Sequence, residues 1–304
     1  MKTKMEIRRT ERLRSSQENE NGSLTKAALA ACDAAGVASS PPSHLVEIHH
    51  RLQNALACRK QDFSEWIDQN RGTRNELKEE FFERWAKENG RRPKFRECLW
   101  MAFTGAVGKF IVDETRHYPP ESRFFLDEPW TVLRHISIPD GFRLECSFED
   151  LSDGGYSNVF ATKGDLAIPL ENALELDGTP ESFWEAHILR FEAAQFYLFW
   201  HSNYAKRFMV YDLRDFLSIY RFGRNETGGT MFDRLTEDEQ SRLLKMDFTP
   251  ILTPKADGAD ICCTEFSPFH GFFRRQYSLA REKSGLVISS TDLERINYNC
   301  GIVF

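Results

Sequence analysis

The chain has 304 residues, of which 41% are apolar, enough to build a substantial core without disulfide or metal staples. Lys and Arg number 40 against 46 Asp and Glu, a formal net charge of -6, so the surface as a whole has no bias toward nucleic acid or anionic membrane and any such binding has to be local. The 7 cysteines show neither CxxC pairs nor the even count of a secreted disulfide scaffold, which points to reduced thiols in the cytosol.

Residues 1–43 mix charges, Ser, Asn and Ala and end in Ser39-Ser40-Pro41-Pro42, too little apolar surface to offset chain entropy. They read as a disordered basic and polar tail, with Lys2, Lys4, Arg8, Arg9, Arg12 and Arg14 clustered at its start and a short Ala-rich helix over 25–35. The start lacks the apolar stretch of a secretory signal and carries acids that a transit peptide avoids. The longest apolar run, Cys98 to Val112, is interrupted by Lys109 and falls short of the ~20 residues a bilayer span needs, so it reads as a buried helix. The expectation is a soluble cytoplasmic protein with no membrane association.

From Ser43 the pattern is helical, and 44–118 is expected to be a helical region. Leu45, Ile48, Leu52, Ala55 and Leu56 recur at helical spacing. Thr73 and Glu76 have the spacing of a capping box for a second helix carrying Leu77, Phe81 and Trp85, which Asn89-Gly90 stops. Pro93 suits the first turn of a third, running to about Val112 with a break near Gly105 and Gly108.

An α+β domain is expected over 119–304. Val132 to Ile138 and Phe142 to Phe148 read as two strands joined by Pro139-Asp140-Gly141, and a second hairpin is expected across Lys163-Gly164-Asp165. Thr179 and Pro180 open a long helix with the stripe Trp184, His187, Ile188, Phe191, Ala194, Gln195 and Leu198. A strand over 207–211 follows, then a short helix capped by Asp212, and a helix behind the capping box of Thr236 and Glu239 that ends near Met246. Ile251 to Leu252, Ile261 to Phe266, Phe272 to Leu279, Leu286 to Ser289 and Ile302 to Phe304 are strand candidates. This order predicts an α+β fold: a helical N-terminal region, then a mainly antiparallel sheet packed on a long central helix around an aromatic-rich core supplied by 25 Phe, 6 Trp and 8 Tyr.

Candidate chemistry is sparse. Gly154-Gly155 and Gly228-Gly229 sit in loops with hydroxyls and amides, where backbone N–H groups can approach an anion, although ordinary hairpin turns use the same residues. His201, at the expected end of the long helix, can act as acid or base, with Asn203, Tyr204 and Arg207 beside it as ligands for an anionic group. Glu265, His270, Arg274 and Arg275 join them if the C-terminal hairpin faces that helix end; isolated charges on the wet face of an antiparallel sheet are the commoner explanation. The 8 histidines show no metal-ligand spacing, and neither a metal nor a cofactor is expected; His187, on an apolar stripe, reads as a hydrogen-bonded core histidine.

The segment from Phe82 to Glu97, with Asn89-Gly90 and Pro93 between two helical stretches, resembles the opening of the winged helix-turn-helix domains of bacterial repressors. The resemblance is confined to these residues. It implies a helix-turn-helix-like segment over 74–103 in which Arg91, Arg92, Lys94 and Arg96 touch phosphate. The following run, Lys109-Phe110-Ile111-Val112, is too apolar for an exposed recognition helix. Three readings of function follow: a regulatory or macromolecular interaction module with a protein partner, an enzyme of an unfamiliar family acting on an anionic substrate through His201, and a nucleic-acid-binding protein.

Overall fold

The structure is a computed structural model that describes residues 44–103, 106–115, 123–151, 154–164, 166–199, 206–212, 215, 236–243, 245–268, 270–283 and 285–297. Contacts divide the chain into 1–43 and 44–304. The tail with its basic cluster, Gly228, Gly229 and the candidate strand over 302–304 lie outside the described residues.

Helix α1 is a single element, His44–Asn89, 46 residues long, where the spacing predicts two helices. No proline interrupts it, so the Thr73 and Glu76 pattern falls within a helix already under way and does not start a new one. At 1.5 Å per residue it extends about 69 Å. Each end is held by its own core. Ile48, Leu52, Leu56, Phe63 and Ile67 pack into the main core, while Leu77 and Phe82 join Met101, Val107 and Ile111 in a second, smaller one. Gly90, at φ 69°, then ends it in the left-handed turn that the Asn-Gly pair predicts. Helices α2 (Phe95–Phe103) and α3 (Ala106–Thr115) follow.

Strand β1 (Phe124–Leu126) leads into the one-turn helix α4 (Pro129–Val132) and the two-residue β2 (Ile136–Ser137). The strand expected over 132–138 is therefore mostly absent. Its amides are used elsewhere: the carboxylate of Glu185 accepts Arg134 N–H at 2.9 Å and His135 N–H at 2.7 Å. The turn at 139–141 does form, with Gly141 at φ 79°, but it feeds β3 (Arg143–Leu151), which pairs with β1 and with β4 (Gly154–Lys163) instead of with β2. The expected hairpin at Gly164 is present: β4 pairs with β5 (Leu166–Pro169) and Gly164 has φ 55°. Helix α5 (Leu170–Ala173) and β6 (Glu175–Leu176) follow, and β6 pairs with β2.

Helix α6 spans Pro180–Ala193. Pro180 sits in its first turn, Glu181 is placed favourably for the helix dipole, and the Thr179 side chain accepts the Ser182 N–H at 3.3 Å. It is 14 residues long, shorter than the helix the stripe predicts, because Leu198 belongs to β7 (Leu198–Phe199), paired with β4. Ser182 to Leu189 are all buried, so α6 is enclosed on every side and not amphipathic.

The second sheet runs β12-β11-β10-β8, with β9 also paired to β10, and every pairing is antiparallel. Its strands are β8 (Phe208–Val210), β9 (Ile251–Lys255), β10 (Gly258–Ser267), β11 (Gly271–Glu282) and β12 (Gly285–Ile296). Helix α7 (Glu237–Leu243) begins with the expected box: the Glu239 carboxylate accepts from Thr236 N–H at 2.8 Å and Thr236 Oγ1 accepts the Glu239 N–H at 3.3 Å. The fold is thus α+β with antiparallel sheets. Residues of α1, α6 and both five-stranded sheets share one core around Phe63, Phe148, Trp184 and Phe196. Among the described residues no helix is long and apolar enough to cross a membrane.

Candidate functional site

Two places concentrate groups able to act on something other than the fold itself: a buried polar layer between α6 and the second sheet, and the surface of α2.

In the buried layer, alternation along β10 and β11 aims Cys263, Glu265, Arg275 and Tyr277 at α6 and sends Thr264 and Arg274 to the opposite face. Glu265 is 1% exposed, and its carboxylate accepts the Tyr277 hydroxyl and lies 3.4 Å from Arg207 and 3.7 Å from Arg275. Arg275 also reaches Asp292 on β12 at 2.6 Å. The carboxylates of Glu265 and Asp292 are thus met by the guanidinium groups of Arg207 and Arg275, and Arg275 shares the Phe273 ring with Arg295. Burial works against the charge on Arg275, but Asp292, Tyr277 and Glu265 together hold it protonated. The Tyr277 hydroxyl is pushed well up by burial and then by Glu265.

Beside this group His187 is enclosed on α6, its Nε2 3.9 Å from Cys263 Sγ and its ring 4.4 Å from that of Tyr277. A Cys–His contact suggests a nucleophile and its base. Here burial pushes the thiol well above its ordinary range and holds the imidazole down at about 3, so both partners are neutral and the contact packs a core without activating sulfur. Further along α6, Glu192 accepts from His49 at 2.9 Å and Gln53 at 3.0 Å, with Lys60 at 3.6 Å, while His49 Nδ1 lies 2.5 Å from the Tyr211 hydroxyl.

Of the residues the sequence singles out, the structure brings together Glu265, Arg207 and Arg275. Arg274 leaves the group: it is 8% exposed on the other face, donating to Thr249 O at 2.8 Å and Thr264 Oγ1 at 3.3 Å. His270 sits at the exposed tip of the β10–β11 hairpin and is not among the partners of Glu265. Gly154 and Gly155 stand in β4 opposite Leu151 and Asp150, and Gly155 also faces Phe199 of β7, so they are part of a ladder and not of an open loop. His201, Asn203, Tyr204, Gly228 and Gly229 lie outside the described residues. Tyr277 and His49 went unmarked in the sequence, since a strand tyrosine and a helical histidine show no spacing that separates them from ordinary core residues.

On the surface, the turn after α1 and the helix α2 carry Arg91, Arg92, Lys94, Phe95, Arg96 and Trp100, all exposed. Phe95 is 53% and Trp100 66% exposed, the latter against the expectation of a buried helix over 98–112. The cause is the helix period. At ~100° per residue Phe95, Arg96 and Trp100 span about 140° of the outer face, while Met101 is turned inward, at 4% exposure, to pack with Leu77, Val107 and Ile111. The local charge is only partly neutralised. Glu97 takes Arg91 at 2.7 Å and the Lys94 N–H at 2.7 Å, which together draw its carboxyl down to about 2, and Arg92 stands 3.9 Å from Glu79. Arg96 forms no ion pair with any described residue. Behind this face, α3 packs against both α1 and β3–β5, with Val107 0% and Ile111 2% exposed. The helix that would enter a DNA groove in a helix-turn-helix arrangement thus turns its apolar face inward and leaves Lys109 exposed.

Among the described residues no group of three or more metal-ligating side chains converges. No protein-family model matches the sequence, and no curated protein or solved structure is significantly similar to it.

Proposed function

We propose that this chain is a macromolecular interaction module that receives an acidic segment of a partner protein, one also bearing apolar side chains, on the turn 90–94 and the outer face of α2. The reading is carried by one observation: Phe95 and Trp100 stand 53% and 66% exposed on the same helical face as Arg96. Large aromatics flanked by arginine are the residue types that dominate binding energy at protein interfaces. The positive balance of the segment, with Arg91, Arg92, Lys94 and Arg96 against Glu97, selects an acidic occupant. The buried layer supports the same reading from the other side: its charges satisfy one another, and its histidine is held far from a working acid–base range.

The test is selection from a displayed library of acidic peptides against the full chain, followed by fluorescence anisotropy of the selected peptides. Binders that lose on the order of 30-fold affinity on Trp100→Ala and weaken on Arg96→Glu support the proposal. Peptides indifferent to both changes, or a library that yields no binder, overturn it. A DNA duplex titrated across salt is the competing arm. Binding with a steep salt slope that is lost on Arg96→Glu but not on Trp100→Ala would favour the nucleic-acid reading.

A further inference from the structure

We propose that β12 is a self-association edge, along which two copies of this chain join the second sheet antiparallel, about a two-fold axis through Ser290. The strand is 12 residues long and is hydrogen-bonded on one side only, to β11; none of the described residues continues the sheet beyond it. Its two ends are covered. Gly285 lies so close to α5 that a Cβ there would stand 2.8 Å from the Asn172 Cα, and Arg242 of α7 donates to the Arg295 carbonyl at 3.1 Å. Between those covers no described residue pairs with the backbone donors and acceptors of the edge, the template on which another strand adds. Natural edges are guarded by charge, proline or a bulge; on β12 the charges and the bulge lie within Asp292 to Arg295, and Leu286 to Thr291 carries neither charge nor proline.

The side chains select the occupant. Val287 is 42% and Leu293 56% exposed, and they lie equally far from Ser290 on either side. The register shift between Arg274 and Arg275 makes Leu293 the extra residue of a bulge, without an opposite number on β11. Antiparallel pairing about Ser290 sets each Val287 opposite Leu293 of the partner subunit, and each Ser289 opposite Thr291 of the partner subunit. Asp292 and Glu294 fall opposite uncharged residues, so no like charges meet. Centring one residue later, on Thr291, sets Val287 against an arginine and breaks the match. A foreign strand has no need of this two-fold arrangement, whereas an isologous interface requires it. This inference does not depend on the α2 surface.

Sedimentation velocity of the full chain across concentration tests it. A monomer–dimer equilibrium is expected, weakened on the order of ten-fold by Val287→Lys and by Ser290→Pro, with Ile251→Lys on β9 as a control that leaves it unchanged. Ser290→Cys should give a disulfide-linked dimer under mild oxidation beyond any formed by the parent chain, because Cα atoms of directly opposed residues stand about 4.5–5.5 Å apart. A chain monomeric at every concentration, or a dimer that survives Val287→Lys and fails to cross-link through Ser290→Cys, overturns the proposal. If Ser290→Pro unfolds the chain, the exposed Val287→Lys decides. Trp100→Ala leaves the dimer intact, which keeps this outcome separate from that of the partner-binding reading.

Discussion

His49 on α1 and Glu192 on α6 meet at 2.9 Å with side chains 0% and 4% exposed, so the longest described helix is tied to the innermost one by a hydrogen bond cut off from water. Burial alone would raise the Glu192 carboxyl, but His49, Lys60 and Gln53 together hold it at about 2. The contact is costly to break because it leaves a buried polar atom of the remaining partner short of a hydrogen bond, although Tyr211 still meets His49, and Gln53 and Lys60 still meet Glu192.

Glu192→Ala is therefore expected to cost about 1–3 kcal/mol in urea unfolding at neutral pH, the range for leaving a buried polar group without its partner. Glu192→Gln should cost less, since it retains an acceptor for His49.

The same carboxylate contributes acid sensitivity. Its pKa in the folded chain, about 2, is below the unfolded value of 4.5, so its stabilisation is fully present above pH 4.5 and is lost as pH falls toward 2. His187 acts in the same direction over a higher window: held at about 3 against 6.5 unfolded, it takes up a proton on unfolding, and stability declines as pH falls from 6.5 toward 3. Unfolding free energy measured against pH should fall less steeply between pH 6.5 and 4.5 in His187→Phe, and less steeply below pH 4.5 in Glu192→Gln. Unchanged slopes would remove this assignment.

Tyr277→Phe takes the hydroxyl from Glu265 while leaving Arg207 and Arg275 in place. The expected loss is about 1–3 kcal/mol, the cost of leaving a buried acceptor short of a donor. Glu265→Ala should cost more, because Arg207 then loses its ion-pair partner among the described residues and Arg275 keeps only Asp292. Chemical denaturation of both variants orders the two effects.

Glycine replacements separate close approach from turn conformation. A Cβ at Gly258 would stand 2.1 Å from the Leu279 carbonyl oxygen inside the β10–β11 ladder, so Gly258→Ala must push the two strands apart. Gly164→Ala meets open space and carries only the penalty of φ 55°, about 1 kcal/mol. Thermal melts should show a large fall in Tm for the first and a small one for the second.

What the sequence by itself determined was local. The Asn89-Gly90 stop, the Thr179-Pro180 opening of α6, the Thr236 and Glu239 box and the strands expected at 261–266, 272–279 and 286–289 all depend on residues within a few positions of one another, and each formed, the strands extending to 258–267, 271–282 and 285–296. The tertiary structure decided everything that depends on where a distant partner lies. Two cores at opposite ends of α1 override the box at Thr73, and Glu185 withdraws the amides of Arg134 and His135 from a strand their neighbours favour. Enclosure by both sheets buries α6 beyond any stripe its sequence shows, and a core that claims Met101 leaves Trp100 facing outward. The meetings of Glu265 with Arg207 and of His49 with Glu192 join positions 58 and 143 residues apart, and no spacing along the chain encodes such contacts. Helix period and turn chemistry are properties of neighbours in sequence, whereas burial and ion pairing are properties of neighbours in space.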